Sequence, residues 1–448
     1  MYSISKEKVR KYMKQQGINT QKELAVKLNI SENQLSMMLS KSFNPIKANA
    51  INLCEVLNVK LEDIFEETQI TLELDVDQEV ETVVEEEEGL DASEFEGHLY
   101  SDIRNILPLR PYTVVELFAG AGGLALGLEQ AGFHSLGLVE QDKHACKTLR
   151  DNRPNYNVIE EDIEIVAEKG IENYIDIPEG GVDLLSGGYP CQSFSYAGKK
   201  GGLSDTRGTL FYSYAQILRQ LMPKMFLAEN VKGLVTDDGG KTLSLMIRVF
   251  SEIGYTIQWK VLNALDYDTA QKRQRIFIIG IRNDLLNTTE LTYAFPERYG
   301  YQLTLRDILK DVPKSDGESY SATKAEVLKL VPPGGYWRDL PEEVAKTYMG
   351  KSYYSTGGRT GMARRLSWDE PSLTLTCSPA QKQTERCHPD ETRPFTVREY
   401  ARIQGFPDSW EFNCSNTNAY KQIGNAVPVS LAKAVGLSIV RILNEINN

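Results

Sequence analysis

Four side chains in this sequence could together activate an electron-poor partner: a thiol, a carboxylate and two guanidiniums. Cys191 lies in Gly187-Gly188-Tyr189-Pro190-Cys191-Gln192-Ser193-Phe194-Ser195, directly after a proline and just beyond an apolar run, 182–186, that reads as a buried strand. A turn after a strand end presents its side chains, so this thiol is placed to act as a nucleophile; in isolation, a cysteine more often serves as a small buried hydrophobe. Glu229, in Ala228-Glu229-Asn230-Val231, follows a second apolar strand, 225–227, and sets a carboxylate at the same sheet edge, where it can serve as an acid. Arg273 and Arg275 alternate before an apolar strand at 276–281. That is the pattern of a half-exposed strand start, yet either guanidinium could also hold a neighbouring thiol as thiolate.

The elements that must position these groups are those of an α/β protein. In Glu116-Leu117-Phe118-Ala119-Gly120-Ala121-Gly122-Gly123 a strand at 113–118 opens through three glycines into an amphipathic helix over 124–131, which Gly132 closes. Such a loop lets a nucleotide-bearing ligand approach the backbone at a helix N-terminus, as in Rossmann-like folds. Glu140 ends the next strand, 135–139, where a carboxylate can hold a ribose diol. Asp162 precedes Ile163 and reads equally as a helix cap. Gly424-Asn425 reads as a turn before a helix over 430–443.

Taken together, these runs resemble the cytosine-C5 DNA methyltransferases over residues 114–436, in that family's usual order. Phe118-Ala119-Gly120-Ala121-Gly122-Gly123 resembles its S-adenosylmethionine loop, and Glu140 and Asp162 stand where its ribose and adenine carboxylates stand. Pro190-Cys191-Gln192 resembles the nucleophile motif, Asp205-Thr206-Arg207-Gly208-Thr209-Leu210-Phe211 the end of a mobile loop, and Glu229-Asn230-Val231 the acid motif. Gln271-Lys272-Arg273-Gln274-Arg275, Arg398-Glu399-Tyr400-Ala401-Arg402-Ile403-Gln404-Gly405-Phe406-Pro407 and Gln422-Ile423-Gly424-Asn425-Ala426-Val427-Pro428 resemble the later blocks. Ala270, where many members have proline, is a conservative departure. The resemblance implies that S-adenosylmethionine is held by Phe118, Ala119, Gly120, Gly122, Gly123, Leu124, Glu140, Asp162, Ile163, Pro190, Asn425 and Val427. It implies that Cys191 attacks carbon 6 of cytosine, that Glu229 serves N3, and that Arg275 lies near O2 with Arg273 near a phosphate or the catalytic loop. The base would be flipped out of the duplex, with 193–208 as a lid. An Asp/Asn/Ser-Pro-Pro-aromatic motif, which amino-methylating enzymes use, is absent; Val331-Pro332-Pro333-Gly334 has neither its polar nor its aromatic residue.

Composition constrains the rest. The net charge of -12 is unusual for a DNA binder, but residues 73–96 carry twelve acids and no lysine or arginine, so the remaining chain is neutral on balance. That block reads as a solvated linker. No apolar run reaches the ~18 residues of a membrane span, and the charged first ten residues lack a signal peptide's core. The six cysteines form no Cys-x-x-Cys pair; adjacent Cys387 and His388 are too few for a metal site, so neither metal nor disulfide is expected and a reducing cytoplasm is.

The expected organisation is a helix-turn-helix module (1–67), an acidic linker (68–108), a Rossmann-like S-adenosylmethionine-dependent core (109–285), a target-recognition region (286–392) and C-terminal motifs (393–448). The first module, read as all-α, resembles phage-repressor (Cro/Xre) domains; Ser31 caps a recognition helix over 32–39, with Glu32, Asn33, Gln34, Ser36 and Met37 as candidate base contacts. Within the recognition region, Arg359, Arg364, Arg365 and Lys382 lie among turn residues and read as DNA contacts. The partners expected are double-stranded DNA and a cognate restriction endonuclease, the N-terminal module repressing the protein's own promoter. A repressor with a relic methyltransferase body and a tRNA cytosine-5 methyltransferase are alternatives; intact Cys191, Glu229, Arg273 and Arg275 favour an active enzyme.

Overall fold

The computed structural model describes residues 90–190, 210–286, 291–355 and 359–447, with short stretches of the first 67 residues. The chain divides into two compact units, Met1–Glu86 and Glu87–Asn448.

In the first unit β1 (Tyr2–Ile4) pairs antiparallel with β2 (Phe65–Glu67), and a helix spans Lys6–Gln15. The expectation of an all-α module is therefore corrected: a short ribbon joins its two ends. Glu23, Leu24 and Lys27 are helical, whereas Ser31 and the proposed base contacts at 32–37 lie outside the described residues.

The second unit is built on one seven-stranded sheet. Its strands are β4 (Tyr112–Leu117), β5 (Phe133–Glu140), β6 (Val158–Glu160), β7 (Leu184–Gly187), β8 (Met225–Val231), β9 (Tyr255–Asn263) and β11 (Gln274–Arg282). They lie in the order β6-β5-β4-β7-β8-β11-β9, and β11 runs antiparallel to both its neighbours. Residues alternate between faces with the strand period of two. Val115, Leu117, Phe226, Ala228, Ile276 and Ile278 face the core beneath helices Ile163–Lys169, Leu210–Leu221 and Lys241–Ile253. Val114, Met225, Leu227, Phe277 and Ile279 face the helices Gly123–Ala131 and Val429–Ile446. The C-terminal stretch Asn416–Ile446 is long and apolar enough to cross a membrane, but it is 72 % buried and serves as core.

Strand order reverses between β4 and β7, which opens a crevice at their carboxyl ends, the place where sheets of this kind take ligands. At the opposite edge Asp183 staples the same two strands, accepting from the Thr113 backbone and hydroxyl and from Arg110.

The stretch expected as linker, 68–108, includes residues that pack on the second unit. Asp91 caps a 3-10 turn over Ala92–Phe95, the Trp259 indole donates to the Ala92 carbonyl at 2.7 Å, and Glu96 pairs with Lys260. The strand β3 (Tyr100–Ser101) pairs with β12 (Phe295–Pro296). Burying Trp259 and pairing Glu96 draws this part of the acidic segment onto the sheet. A further parallel pair, β10 (Gln271–Lys272) with β13 (Ser372–Leu373), joins the sheet's lead-in to the region 286–392, which has its own small core around Leu328, Trp337, Met349 and Met362.

Candidate active site

One cavity of about 660 Å³ opens at the switch point, within the ~300–1,000 Å³ usual for small-molecule sites. The loop after β4 forms its floor. Phe118 (φ 57°) takes a left-handed conformation that costs a non-glycine residue roughly 1–2 kcal/mol, and Gly122 (φ 87°) takes the same region as N-cap of the following helix. Strain at the strand end turns Phe118, Ala119, Gly120, Gly123 and Leu124 onto the cavity wall. Gly122 is not on that wall: a Cβ there would lie 2.7 Å from Leu149, so its contribution is the turn itself.

Glu140, at the end of β5, accepts from the Gly120 amide at 2.8 Å and the Asp142 amide at 2.7 Å. Ile163 and Glu161 also line the cavity. Asp162, expected there, does not: it caps the helix Ile163–Lys169 by accepting from the Glu164 amide, the local role that an Asp before a helix readily takes. Asn425 and Val427 arrive from the end of the helix Asn416–Asn425 and complete the wall.

Glu116 was not singled out by its sequence context, though a carboxylate inside an apolar strand was the available signal. It is 1 % exposed, its Oε2 has no hydrogen-bond partner among the described residues, and burial pushes its carboxyl up to about 8. The donor set fits a nucleoside-bearing cation: a carboxylate for a diol, apolar walls at Leu124, Ile163 and Val427, and a buried acid with a free oxygen.

The opposite wall holds the catalytic candidates. Glu229 lies inside β8, not after it as expected, and Arg275 sits diagonally across on β11, so both project to one face. The Arg275 Nε stands 2.9 Å from Glu229 Oε1. Burial raises the Glu229 carboxyl above its ordinary range, against the pull of Arg275 and Arg273. A Cβ on Gly188 would come within 2.7 Å of Glu229 Oε2, so the absent side chain makes room for the acid. Asn230 donates to the Tyr189 carbonyl at 3.0 Å and ties β8 to the turn carrying Pro190, which lines the cavity. Cys191 and the lid read over 193–208 lie outside the described residues.

Arg273, expected near a phosphate or the catalytic loop, lines the cavity, while that loop lies outside the described residues. It is 1 % exposed and donates to the Leu375 carbonyl at 3.1 Å and the Gly424 carbonyl at 2.8 Å; burial, with Arg275 nearby, pushes its pKa down to about 9. Both its terminal nitrogens are committed to backbone, and its Nε has no partner among the described residues. Arg365 is no DNA contact: buried, it donates to the carbonyls of Val331, Leu328 and His388. Lys382 donates to the Tyr348 carbonyl and lies over its ring, and Arg364 pairs loosely with Glu370. Of the four, Arg359 and Lys382 are exposed.

A switch-point cavity with a glycine-turn floor, a carboxylate at the end of β5 and an acid–guanidinium wall is the arrangement of a Rossmann-like site for a nucleotide-bearing ligand. The model of the C-5 cytosine-specific DNA methylases matches residues 112–441, and the chain belongs to that family. A Cro/C1-type helix-turn-helix DNA-binding domain matches residues 8–68. The chain is 54 % identical to the type II methyltransferase M.Sau96I of Staphylococcus aureus over 99 % of its length and 100 % of that protein's. It is 57 % identical to the type II methyltransferase M.Eco47II of Escherichia coli over 75 % of its length and 80 % of that protein's. The fold matches the S. pombe Dnmt2 methyltransferase with a TM-score of 0.51 at 19 % identity, covering 75 % of this chain and 100 % of that one. The protein is a DNA (cytosine-5) methyltransferase of the type II restriction-modification kind, acting on DNA, and its family membership implies S-adenosylmethionine as methyl source.

Proposed function

We propose that the enzyme methylates carbon 5 of a cytosine flipped out of a duplex, through a covalent adduct with Cys191. The observation that carries this reading is the Glu229–Arg275 pair on one wall of the cavity whose floor is the glycine turn and whose rim includes Pro190. S-adenosylmethionine, when bound, supplies an electrophilic methyl on a sulfonium. Phe118, Ala119, Gly120, Gly123 and Leu124 would hold it with Glu140, Ile163, Asn425 and Val427, while Gly122 shapes the turn and Asp162 fixes the helix that carries Ile163.

Cytosine carbon 5 is too weak a nucleophile on its own. The Cys191 thiolate adds at carbon 6, forming the S–C bond and breaking the 5,6 double bond, and electron density passes towards N3. Protonated Glu229 donates to N3 and neutralises that charge, and Arg275 keeps the carboxyl oriented. Carbon 5 is now an enamine carbon and takes the methyl. A base then removes the carbon 5 proton, the electron pair expels the thiolate, and N3 returns its proton to Glu229, restoring the double bond and the free enzyme. None of these atoms is reachable in a stacked base, which is why the nucleotide must leave the helix.

Region 286–392 would read the target and the N-terminal module would repress the enzyme's own promoter. A cognate restriction endonuclease in the same cytoplasm would cut the sites left unmethylated. Incubation with tritiated S-adenosylmethionine and plasmid DNA, followed by bisulfite sequencing, tests the chemistry. Label at cytosine 5 within one short recurring sequence is expected; label on an amino nitrogen, or on tRNA in preference to DNA, would overturn it.

A further inference from the structure

Thr374 belongs to two hydrogen-bond networks at once. Its hydroxyl donates to the Lys272 carbonyl of β10 at 2.7 Å, while its own carbonyl accepts from Arg386 at 2.8 and 3.2 Å. Arg386 is 5 % exposed, and its fully buried neighbour Glu385 is held by Lys324 at 2.7 Å, inside region 286–392. The next residue, Leu375, is gripped at both backbone groups. Its amide donates to Gln271 Oε1 at 3.0 Å, and its carbonyl accepts from Arg273 at 3.1 Å. Gln271, with no exposed surface, donates in turn to Gln404 Oε1 at 2.7 Å, and Gln404 donates to the Ala426 carbonyl. Two residues beyond Arg273 is Arg275, paired with Glu229. Buried amides and a buried guanidinium accept few geometries, because each partner lost leaves an unsatisfied polar group.

We propose that Thr374 and Leu375 form a joint through which the seating of DNA on region 286–392 reaches the Glu229–Arg275 pair, with Gln271, Arg273 and Gln404 as positioning residues. The inference rests on reading that region as the target reader and names how its reading is enforced. A duplex seated wrongly shifts Arg386 and Thr374, and the stiff joint carries the shift into β10 and on to Arg275, so methyl transfer slows. A loosened joint lets a mis-seated duplex react, while the correct one loses alignment. Specificity is a ratio of such rates, and it falls from both sides.

The test uses the full-length enzyme on plasmid DNA, with methylation at the recurring site and at sequences one base pair different from it followed over time by bisulfite sequencing. In Gln404→Met, and in the milder Thr374→Val at a partly exposed position, the ratio of on-site to neighbouring-site rates is expected to fall at least about threefold. The dissociation constant for S-adenosylmethionine should stay within about twofold of wild type, since neither side chain lines the cofactor cavity. A ratio held within twofold in whichever variants fold, whatever happens to the overall rate, overturns the joint. The double variant Tyr354→Ala/Arg359→Ala, at exposed positions of the same region outside the joint, checks the underlying reading. Unchanged KM for DNA and an unchanged ratio there would refute the region as target reader, independently of the joint.

Discussion

Glu229 must be protonated to serve N3, and its surroundings decide when it is. Burial favours the neutral acid and raises its pKa, while Arg275 and Arg273 oppose that shift. A group whose folded pKa is raised keeps its proton below that pKa and loses it as pH rises through it. The rate of the chemical step is therefore expected to fall on the alkaline side with Glu229's ionisation. Glu229→Gln, which cannot donate an acidic proton, should lower kcat by about 10²-fold or more and lose that alkaline limb. Single-turnover methylation across pH, with DNA affinity measured alongside, checks both; a wild-type limb surviving in Glu229→Gln would show that another group titrates. At this scale the sequence was informative where a residue's type is rare for its place. A carboxylate after an apolar strand drew attention to Glu229, whereas Arg275 was picked out by the family resemblance, its spacing being that of an ordinary strand start. A different sign misplaced Arg365, because an arginine in a glycine-rich stretch looks alike whether it grips phosphates or carbonyls. Glu116 escaped because its burial, with one oxygen unpartnered among the described residues, depends on packing that no local pattern encodes.

Among the elements, the sheet's central strands were legible because parallel strands buried on both faces appear as unbroken apolar runs. Their ends were less so: β8 runs through Glu229 to Val231, since pairing with β11 extends it past the apolar stretch. The joint between β10 and β13 could not be read at all, because Gln271 and Gln404 are 133 residues apart. The staple at the sheet's far edge yields a prediction of its own. Asp183 is 1 % exposed; burial opposes its charge, but Arg110, the Thr113 amide and Lys224 outweigh that and hold its pKa below the usual range. Stability from such a depressed carboxyl is present above the unfolded pKa and lost as pH falls through the folded one. Asp183→Asn should cost roughly 2–3 kcal/mol in urea unfolding at neutral pH, Arg110 being half exposed, and the gap to wild type should close in acid. An unchanged midpoint at pH 7 would mean the staple carries no net stability.

For the molecule as a whole, the chain forms two compact units. The body from Glu87 onward contains the switch-point cavity and the Glu229–Arg275 pair, and the match to a DNA-binding module, 8–68, falls in Met1–Glu86. Removing residues 1–86 should leave site-specific methylation intact and abolish preferential binding to the DNA upstream of the coding sequence, measured by gel shift. Loss of methylation in that truncation would tie the first unit to catalysis. The charge pattern could not show that Trp259 and Lys260, remote in sequence, recruit residues 92–96 of the acidic segment to the sheet.

The covalent step is the core of the account, and a mechanism-based trap examines it directly. DNA carrying 5-fluorocytosine at the target accepts the thiolate and the methyl but has no carbon 5 proton to give up, so the adduct cannot collapse. With S-adenosylmethionine present, wild-type enzyme should form a complex that survives denaturing electrophoresis, with peptide mass spectrometry placing the modified nucleotide on Cys191, and Cys191→Ala should form none. A trapped adduct on another residue, or methyl transfer by Cys191→Ala at the wild-type rate, would contradict it.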